Sequence, residues 1–176
     1  MKNQNLINRI IIVLFSLTIF TSCTDNVSYD EDAIQLTINE IVSTPTNSWF
    51  KSEMNSYKPD TNVMKEIINN FDSGKHKVYL YANFNCGCNS QQTDISHLCK
   101  VFEECNIPES SYEIYSMRSS TSKHPYKSRF SISELPECIV MQDSNAVYFM
   151  LDTMRQFKRY GQTISVEQLL LNGLKK

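Results

Sequence analysis

The chain has 176 residues and a formal net charge of −2 at neutral pH. This length allows one domain with a substantial core, and the slightly acidic balance provides no basic patch, so we expect no nucleic-acid partner. The six cysteines make disulfide exchange, thiolate metal binding and simple core packing the alternatives to weigh.

The N-terminal residues have the pattern of an export signal. Lys2 and Arg9 supply positive charge, and residues 10–20 form a mostly apolar run. This run is too short to cross a hydrocarbon core of about 30 Å as a helix. We therefore predict a removable signal peptide over residues 1–22.

Two small residues, Thr21 and Ser22, come directly before Cys23. This arrangement resembles the lipobox of bacterial lipoproteins, although Phe20 departs from the aliphatic residue usual there. The resemblance implies that Cys23 carries the lipid that anchors the chain to a bilayer. Because Thr24, and not Asp, follows this cysteine, the resemblance implies the outer membrane, facing the periplasm or the exterior. An ordinary secretory signal or an uncleaved anchor is the alternative.

After the signal we predict a tether with an N-terminal extension over residues 23–58 and a single domain over residues 59–176. Apolar residues three and four apart indicate helices, and short runs of β-branched and aromatic residues indicate strands. The predicted elements, in chain order, are a helix over 33–42, a strand beginning at 49–50, a helix over 61–71, a strand over 77–84, a helix over 90–105, strands over 112–117, 138–141 and 146–151, and a helix capped by Ser165.

This order of elements predicts an α/β fold. Strands that alternate with helices form a parallel core, and the last two strands, joined by a turn at residues 143–145, add antiparallel edges. We therefore expect a three-layer sandwich, in which a central mixed sheet has helices on both faces.

The stretch Cys86-Gly87-Cys88 separates the strand over 77–84 from the helix that follows. A thiol at a helix N-terminus has a lowered pKa, because the free N–H groups favour the thiolate. A bend at Gly87 would bring the two Cα atoms within the roughly 4.4–6.8 Å that a disulfide requires. The stretch predicts a redox pair; a pair without a catalytic role and a thiolate site for Cu(I) or Zn(II) are the alternatives.

The remaining candidate ligands and thiols have simpler interpretations. Cys99 and Cys105 belong to the apolar face of the helix over 90–105, so we expect core packing. Cys138 is also expected in the core, with a third redox thiol as the alternative. His97 would be the third ligand of a metal site, but we expect it to point away into solvent, so no metal site is predicted.

Two local patterns of the sequence occur together in one known family. The first is a strand, a cysteine-containing turn and a helix over residues 77–104. The second is an aromatic residue six places before a proline and aliphatic residues four places and one place before it, followed by a strand. Phe130, Ile132, Leu135 and Pro136 fill these positions. In both patterns the chain resembles the thioredoxin-like superfamily.

The resemblance covers about residues 60–174. It implies a cis peptide bond before Pro136, which lies against the active-site cysteines, and a substrate surface that includes Leu135 and Pro136. The chain departs from the family by having C-x-C where the family has C-x-x-C. Either Cys86 takes the place of the nucleophile, or Asn85 does and Cys88 takes the place of the resolving cysteine; the sequence leaves this register open.

The resemblance implies a lipid-anchored, exported oxidoreductase or isomerase that exchanges thiols and disulfides with other proteins. Cys86 would attack and Cys88 would resolve. No bound cofactor is required, because a partner thiol protein supplies the electrons. The alternatives are a non-catalytic thioredoxin-like binding or assembly lipoprotein and a thiolate protein that handles copper or zinc.

Overall fold

The structure, a computed structural model, describes residues 32–85 and 89–176, with the backbone alone for 89–91. Both Cys23 and the stretch 86–88 lie outside the described residues. No helix in the described ranges is long and apolar enough to cross a membrane. The strands are β1 (Ile34–Leu36), β2 (His76–Ala82), β3 (Tyr112–Ser116), β4 (Glu137–Gln142) and β5 (Asn145–Phe149). The helices are α1 (Ile38–Ser43), α2 (Ser48–Ser56), α3 (Thr61–Asn70), α4 (Asn89–Glu104), α5 (Met150–Arg159) and α6 (Val166–Leu174).

The five strands form one mixed sheet in the order β1-β3-β2-β4-β5. Strands β2 and β3 are parallel, whereas β1, β4 and β5 each pair antiparallel with a neighbour. Asp143 and Ser144 have φ angles of 47° and 70°, the left-handed conformation of a tight hairpin turn between β4 and β5. The chain is therefore an α/β protein with a parallel centre and an antiparallel hairpin, as predicted.

One face of the sheet carries the helices. Val78, Leu80 and Ala82 alternate along β2 toward this face and join a core to which the helices contribute their buried side chains. Helix α6 approaches β4 so closely that a Cβ atom on Gly173 would lie 2.6 Å from Val140 Cγ2. A glycine at this position is thus required by packing.

The other face is covered by a loop, which corrects the prediction of helices on both faces. Its cluster joins Tyr79 and Tyr81 of β2 to Phe130 and Ile132 of the loop between β3 and β4, and no described helix contributes to it. Side chains early in this loop bond to nearby backbone, as Ser119 Oγ does in accepting from the Thr121 N–H at 3.2 Å. Such local bonds favour turns over a helix.

Three predictions of local structure were wrong. The helix expected over 33–42 is split into β1 and α1, because Thr37 caps α1 in a reciprocal capping box with Glu40. The strand expected at 49–50 is helix α2, which buries Phe50 and Met54 one turn apart. The strand expected over 146–151 ends at Phe149, and helix α5 begins directly after it.

The other predicted elements are confirmed to within about two residues. The Asp60 side chain accepts from the Asn62 and Val63 N–H groups and so caps α3, which ends at Asn70. Ser165 caps α6 in the same way. Elements with a cap or a strong apolar pattern in their own sequence were thus predictable.

Candidate functional site

The residues that lead into the C-x-C stretch are held at the end of β2. Asn83 Oδ1 accepts from the Asn85 N–H at 3.1 Å, and the Asn83 carbonyl accepts from the Gln92 side chain of α4. Phe84 is buried and meets Phe50 edge to face, with ring centroids 6.0 Å apart. The structure therefore fixes both flanks of the stretch, while the pairing of Cys86 with Cys88 stays a prediction.

The Leu135–Pro136 peptide bond is cis, which confirms the expectation that the resemblance gave. Strand β4 begins at the next residue, and Glu137 pairs with Tyr81 near the end of β2. Pro136 and the residues that follow β2 therefore lie at the same end of two neighbouring strands. This is the end of the sheet to which the C-x-C stretch is attached.

Arg155 of α5 holds the proline segment in place. Its Nη1 donates to the Pro136 carbonyl at 3.1 Å, and its Nη2 donates to Glu137 Oε2 at 3.0 Å. The same guanidinium contacts the Asp152 carboxylate, and its Nε lies 3.5 Å from the Glu134 carboxylate. One cation thus ties three carboxylates and a backbone carbonyl together.

Glu137 is fully buried at the base of this cluster. Its Oε1 accepts from the Cys138 and Leu151 N–H groups at 2.9 and 2.8 Å, and its Oε2 accepts from the Asp152 N–H at 3.0 Å. Burial raises the pKa of Glu137 to about 7, although the backbone hydrogen bonds and Arg155 act to lower it. A buried carboxyl with a raised pKa is typical of functional sites.

A cleft of about 230 Å³ opens between Pro136 and α5, and we refer to it as the Pro136 cleft. A second cavity of about 380 Å³ shares three of its residues and extends it toward Tyr57 and His97. The Pro136 cleft is lined by Asp94, Glu134, Leu135, Pro136, Leu151, Met154, Arg155 and Lys158. Apolar and charged residues line this cleft in equal number, a mixture that suits an extended polypeptide, whose backbone has both donors and acceptors.

The three cysteines of the described ranges are buried free thiols, which confirms their assignment to the core. Burial raises the pKa of Cys105 to about 11 and raises those of Cys99 and Cys138 further above the ordinary value. These thiols stay protonated at neutral pH and are poor nucleophiles. The alternative role of Cys138 as a third redox thiol therefore gains no support.

His97 does not face solvent as expected. Its ring stacks on Tyr57 with centroids 3.8 Å apart, and its Nε2 lies 3.7 Å from Glu53 Oε2. Burial lowers the pKa of His97. The reason is helix α2, which was not predicted and which packs across α4. Within the described ranges, no group of three or more His, Cys, Asp or Glu residues is arranged to hold a metal ion.

Sequence reasoning selected Leu135 and Pro136 but missed Glu137 and Arg155. The available signal was a glutamate at the start of the apolar run ECIVM, where a strand is otherwise buried on both faces. Arg155 gave no comparable signal, because it is one of several charged residues in the mixed polar and apolar stretch LDTMRQFKR. Only its contacts with residues distant in sequence identify Arg155 as part of the candidate site.

No family model, no curated protein and no solved structure matches this chain. Its function is therefore argued from its own residues and their geometry.

Proposed function

We propose that the chain is an exported, lipid-anchored thiol–disulfide exchange protein of thioredoxin-like fold, acting on other exported proteins as an oxidoreductase or isomerase. The observation that carries the proposal is the position of Pro136. It directly precedes β4, at the end of the sheet where β2 leads toward Cys86 and Cys88. The candidate substrate surface and the residues that lead into the candidate redox thiols thus lie at one end of adjacent strands.

Further support comes from the arrangement of the sheet around this point. Parallel strands β2 and β3 are followed by the antiparallel hairpin of β4 and β5 and by a closing helix, α6. The loop that covers the second face is a departure, because the order of elements predicted a helical layer there. Leu135 packs against the cluster of this loop and also lines the Pro136 cleft, so the loop supports one wall of the cleft.

In the proposed reaction Cys86 is the nucleophile. Its thiolate attacks one sulfur of a substrate disulfide, a mixed disulfide forms, and the other substrate sulfur leaves as a thiolate. The Cys88 thiolate then attacks Cys86 Sγ, so that a Cys86–Cys88 disulfide forms and the second substrate thiolate is released. The substrate has gained two electrons, and an electron-donor thiol protein returns the pair to the dithiol by the same two exchanges.

The first test is the redox state of the two thiols in the purified chain. The protein is equilibrated across a series of glutathione ratios, quenched in acid, denatured, alkylated and mapped by mass spectrometry. We expect a reversible Cys86–Cys88 bond with a potential in the range of about −120 to −230 mV found for exchange catalysts. Thiols that never join and stay open to alkylation would refute the proposal and favour a non-catalytic or metal-binding protein.

Two variants make this test specific. Replacing both Cys86 and Cys88 by serine should lower the rate of insulin reduction by dithiothreitol to the uncatalysed rate. Replacing Cys105, a buried thiol at the end of α4 that the proposal does not use, should leave that rate unchanged. Retention of the full rate by the double variant would contradict the assignment of the nucleophile.

A further inference from the structure

The hydrogen-bond partners of Glu137 leave its carboxylate no room for a proton. Each carboxylate oxygen accepts two bonds: Oε1 from the Cys138 and Leu151 N–H groups, Oε2 from the Asp152 N–H and Arg155 Nη2. All four partners are donors, so none can accept a bond from the neutral acid. A proton on either oxygen must displace a donor. The arrangement therefore belongs to the ionised form.

Two of these donors belong to the first turn of α5. Leu151 and Asp152 are early residues of that helix, and Phe149, at the N-cap position, makes no capping bond with its side chain. Glu137, from a neighbouring strand, thus supplies the cap that the helix lacks locally. A negative charge at a helix N-terminus is also favoured by the helix dipole. Ionised Glu137 fixes where α5 begins.

Another of the four donors, Arg155, connects Glu137 to the proline segment. Arg155 holds Glu137 with Nη2 and the Pro136 carbonyl with Nη1. When Glu137 is neutral, Asp152 and Glu134 are the carboxylates that still attract this guanidinium. Both attract it away from the buried base of the cluster, because the Glu134 side chain is 64 % exposed and that of Asp152 is 35 % exposed. The hold on the Pro136 carbonyl weakens as a result.

We propose that Glu137 is a positioning residue whose ionised carboxylate, through Arg155 and α5, fixes the Leu135–Pro136 wall of the Pro136 cleft for exchange with a polypeptide substrate. The inference rests on the proposed function. It adds a pH-dependent control to that site, because protonation of one buried group loosens two walls of the cleft together.

Other ionisable groups around Glu137 have to be distinguished from it in any titration. From α5 these are Asp152 and Arg155, and from the preceding loop Glu134. Tyr81 stands opposite on β2, with its pKa raised by burial. Cys138 is the next residue along β4, and Asp94 of α4 acts electrostatically on that thiol. Of the carboxyl groups here, Glu137 is the one whose pKa burial raises into the neutral range.

The direct test is a pH titration of the ¹⁵N-labelled full-length chain in detergent micelles, followed by NMR. We expect the amide signals of Cys138, Leu151 and Asp152 to move together on one curve between pH 5.5 and 8.5, because they share one carboxylate. This measurement needs no variant. Amide signals that do not share a curve would overturn the inference.

Two variants separate Glu137 from its neighbour. E137Q should remove the shared curve, whereas E134Q, which alters an exposed carboxyl group 3.5 Å from the same guanidinium, should keep it. The second readout is the rate of insulin reduction by dithiothreitol. At pH 8.5 the rate of E137Q should be lower than that of wild type by a factor of about ten or more, because a misplaced substrate surface slows the reaction. At pH 5.5, where the wild-type carboxyl group is neutral, the two rates should be equal.

The two proposals fail in different ways. A wild-type chain without exchange activity refutes the proposed function. An active wild type with the shared curve, but with equal E137Q and wild-type rates at both pH values, refutes the role of Glu137 alone. If E137Q does not fold, R155K takes its place: it keeps the positive charge but loses the fork that holds Pro136 and Glu137 together. R155K should reduce insulin more slowly than wild type at pH 8.5, while its three amide signals still follow one titration curve. A rate equal to that of wild type would overturn the inference.

Discussion

At the scale of single residues, burial and hydrogen bonding act in opposite directions on Glu137. Removal from water disfavours its charge, while three N–H groups and Arg155 favour it. Burial prevails, and the pKa rises from the ordinary 4.5 to about 7. Neutralisation removes the cost of a buried charge and also removes an acceptor from four donors. The residue is therefore poised to change state near neutral pH.

This raised pKa predicts a particular dependence of stability on pH. Between about pH 4.5 and 7 the folded state keeps a proton that the unfolded state has released. The contribution of Glu137 to the free energy of unfolding is therefore fully present below pH 4.5 and is lost as the pH rises through 7. Across that window, wild type should lose roughly 1–3 kcal/mol relative to E137Q in urea denaturation.

The control for this prediction is E134Q, which changes an exposed carboxyl group of the same cluster. Its unfolding free energy should run parallel to that of wild type across the window. A constant difference between wild type and E137Q from pH 4.5 to 7.5 would contradict the raised pKa.

At the scale of elements, contacts across the fold decide where several helices begin and how closely they pack. Helix α5 begins where the Glu137 carboxylate receives its first N–H groups, not where its own sequence supplies a cap. Helix α6 sits against β4 with no space for a side chain at Gly173. Neither feature can be predicted from the sequence of one segment.

The close packing of α6 predicts the effect of Gly173→Ala. Alanine is favoured over glycine in a free helix by about 1 kcal/mol, but its Cβ here would lie 2.6 Å from Val140 Cγ2 and 3.1 Å from Tyr148 Cδ1. We expect a net loss of about 1–3 kcal/mol in unfolding free energy, as for other overpacked cores. Gly74→Ala, where the nearest atom is 3.2 Å away on the exposed Asp72 side chain, should change stability little. A stabilising Gly173→Ala would show that the helix can move away from the sheet.

At the scale of the whole molecule, the described residues before position 59, 32–58, contribute to the core. Ile41, Phe50 and Met54 are fully buried in the cluster beneath the helices. The ring of Phe50 meets Phe84, which stands two residues before Cys86. The described part of the N-terminal extension thus supports the residues that lead into the candidate redox stretch.

This arrangement predicts that the extension is needed for stability. Phe50→Ala should cost about 3–5 kcal/mol, the usual effect of removing a buried aromatic ring, with the unfolding free energy measured by urea denaturation. Lys51→Ala is the matched control, because the neighbouring Lys51 is exposed and lies 3.8 Å from the Glu103 carboxylate in a surface ion pair. A Phe50→Ala variant as stable as the control would mean that the extension does not belong to the core.

The sequence by itself determined the elements whose signals are local. Asp60 and Ser165 cap their own helices, and β2 and β4 are runs of mostly apolar residues. The cis bond at Pro136 was implied by the family resemblance of the short pattern around it. The C-x-C stretch was also visible, because two cysteines one residue apart before a helix indicate thiol chemistry. Each of these depends on residues within about seven positions of one another.

Only the tertiary structure decided what depends on distant contacts. The loop over the second face of the sheet, the helix α2 across His97, and the cluster of Glu137 with Arg155 all join residues far apart in the chain. The sequence analysis missed Glu137, and its role became clear only from a helix that begins thirteen residues later. Hydrogen bonds and burial act through space, so the partners that give a residue its charge state cannot be read from its neighbours in sequence.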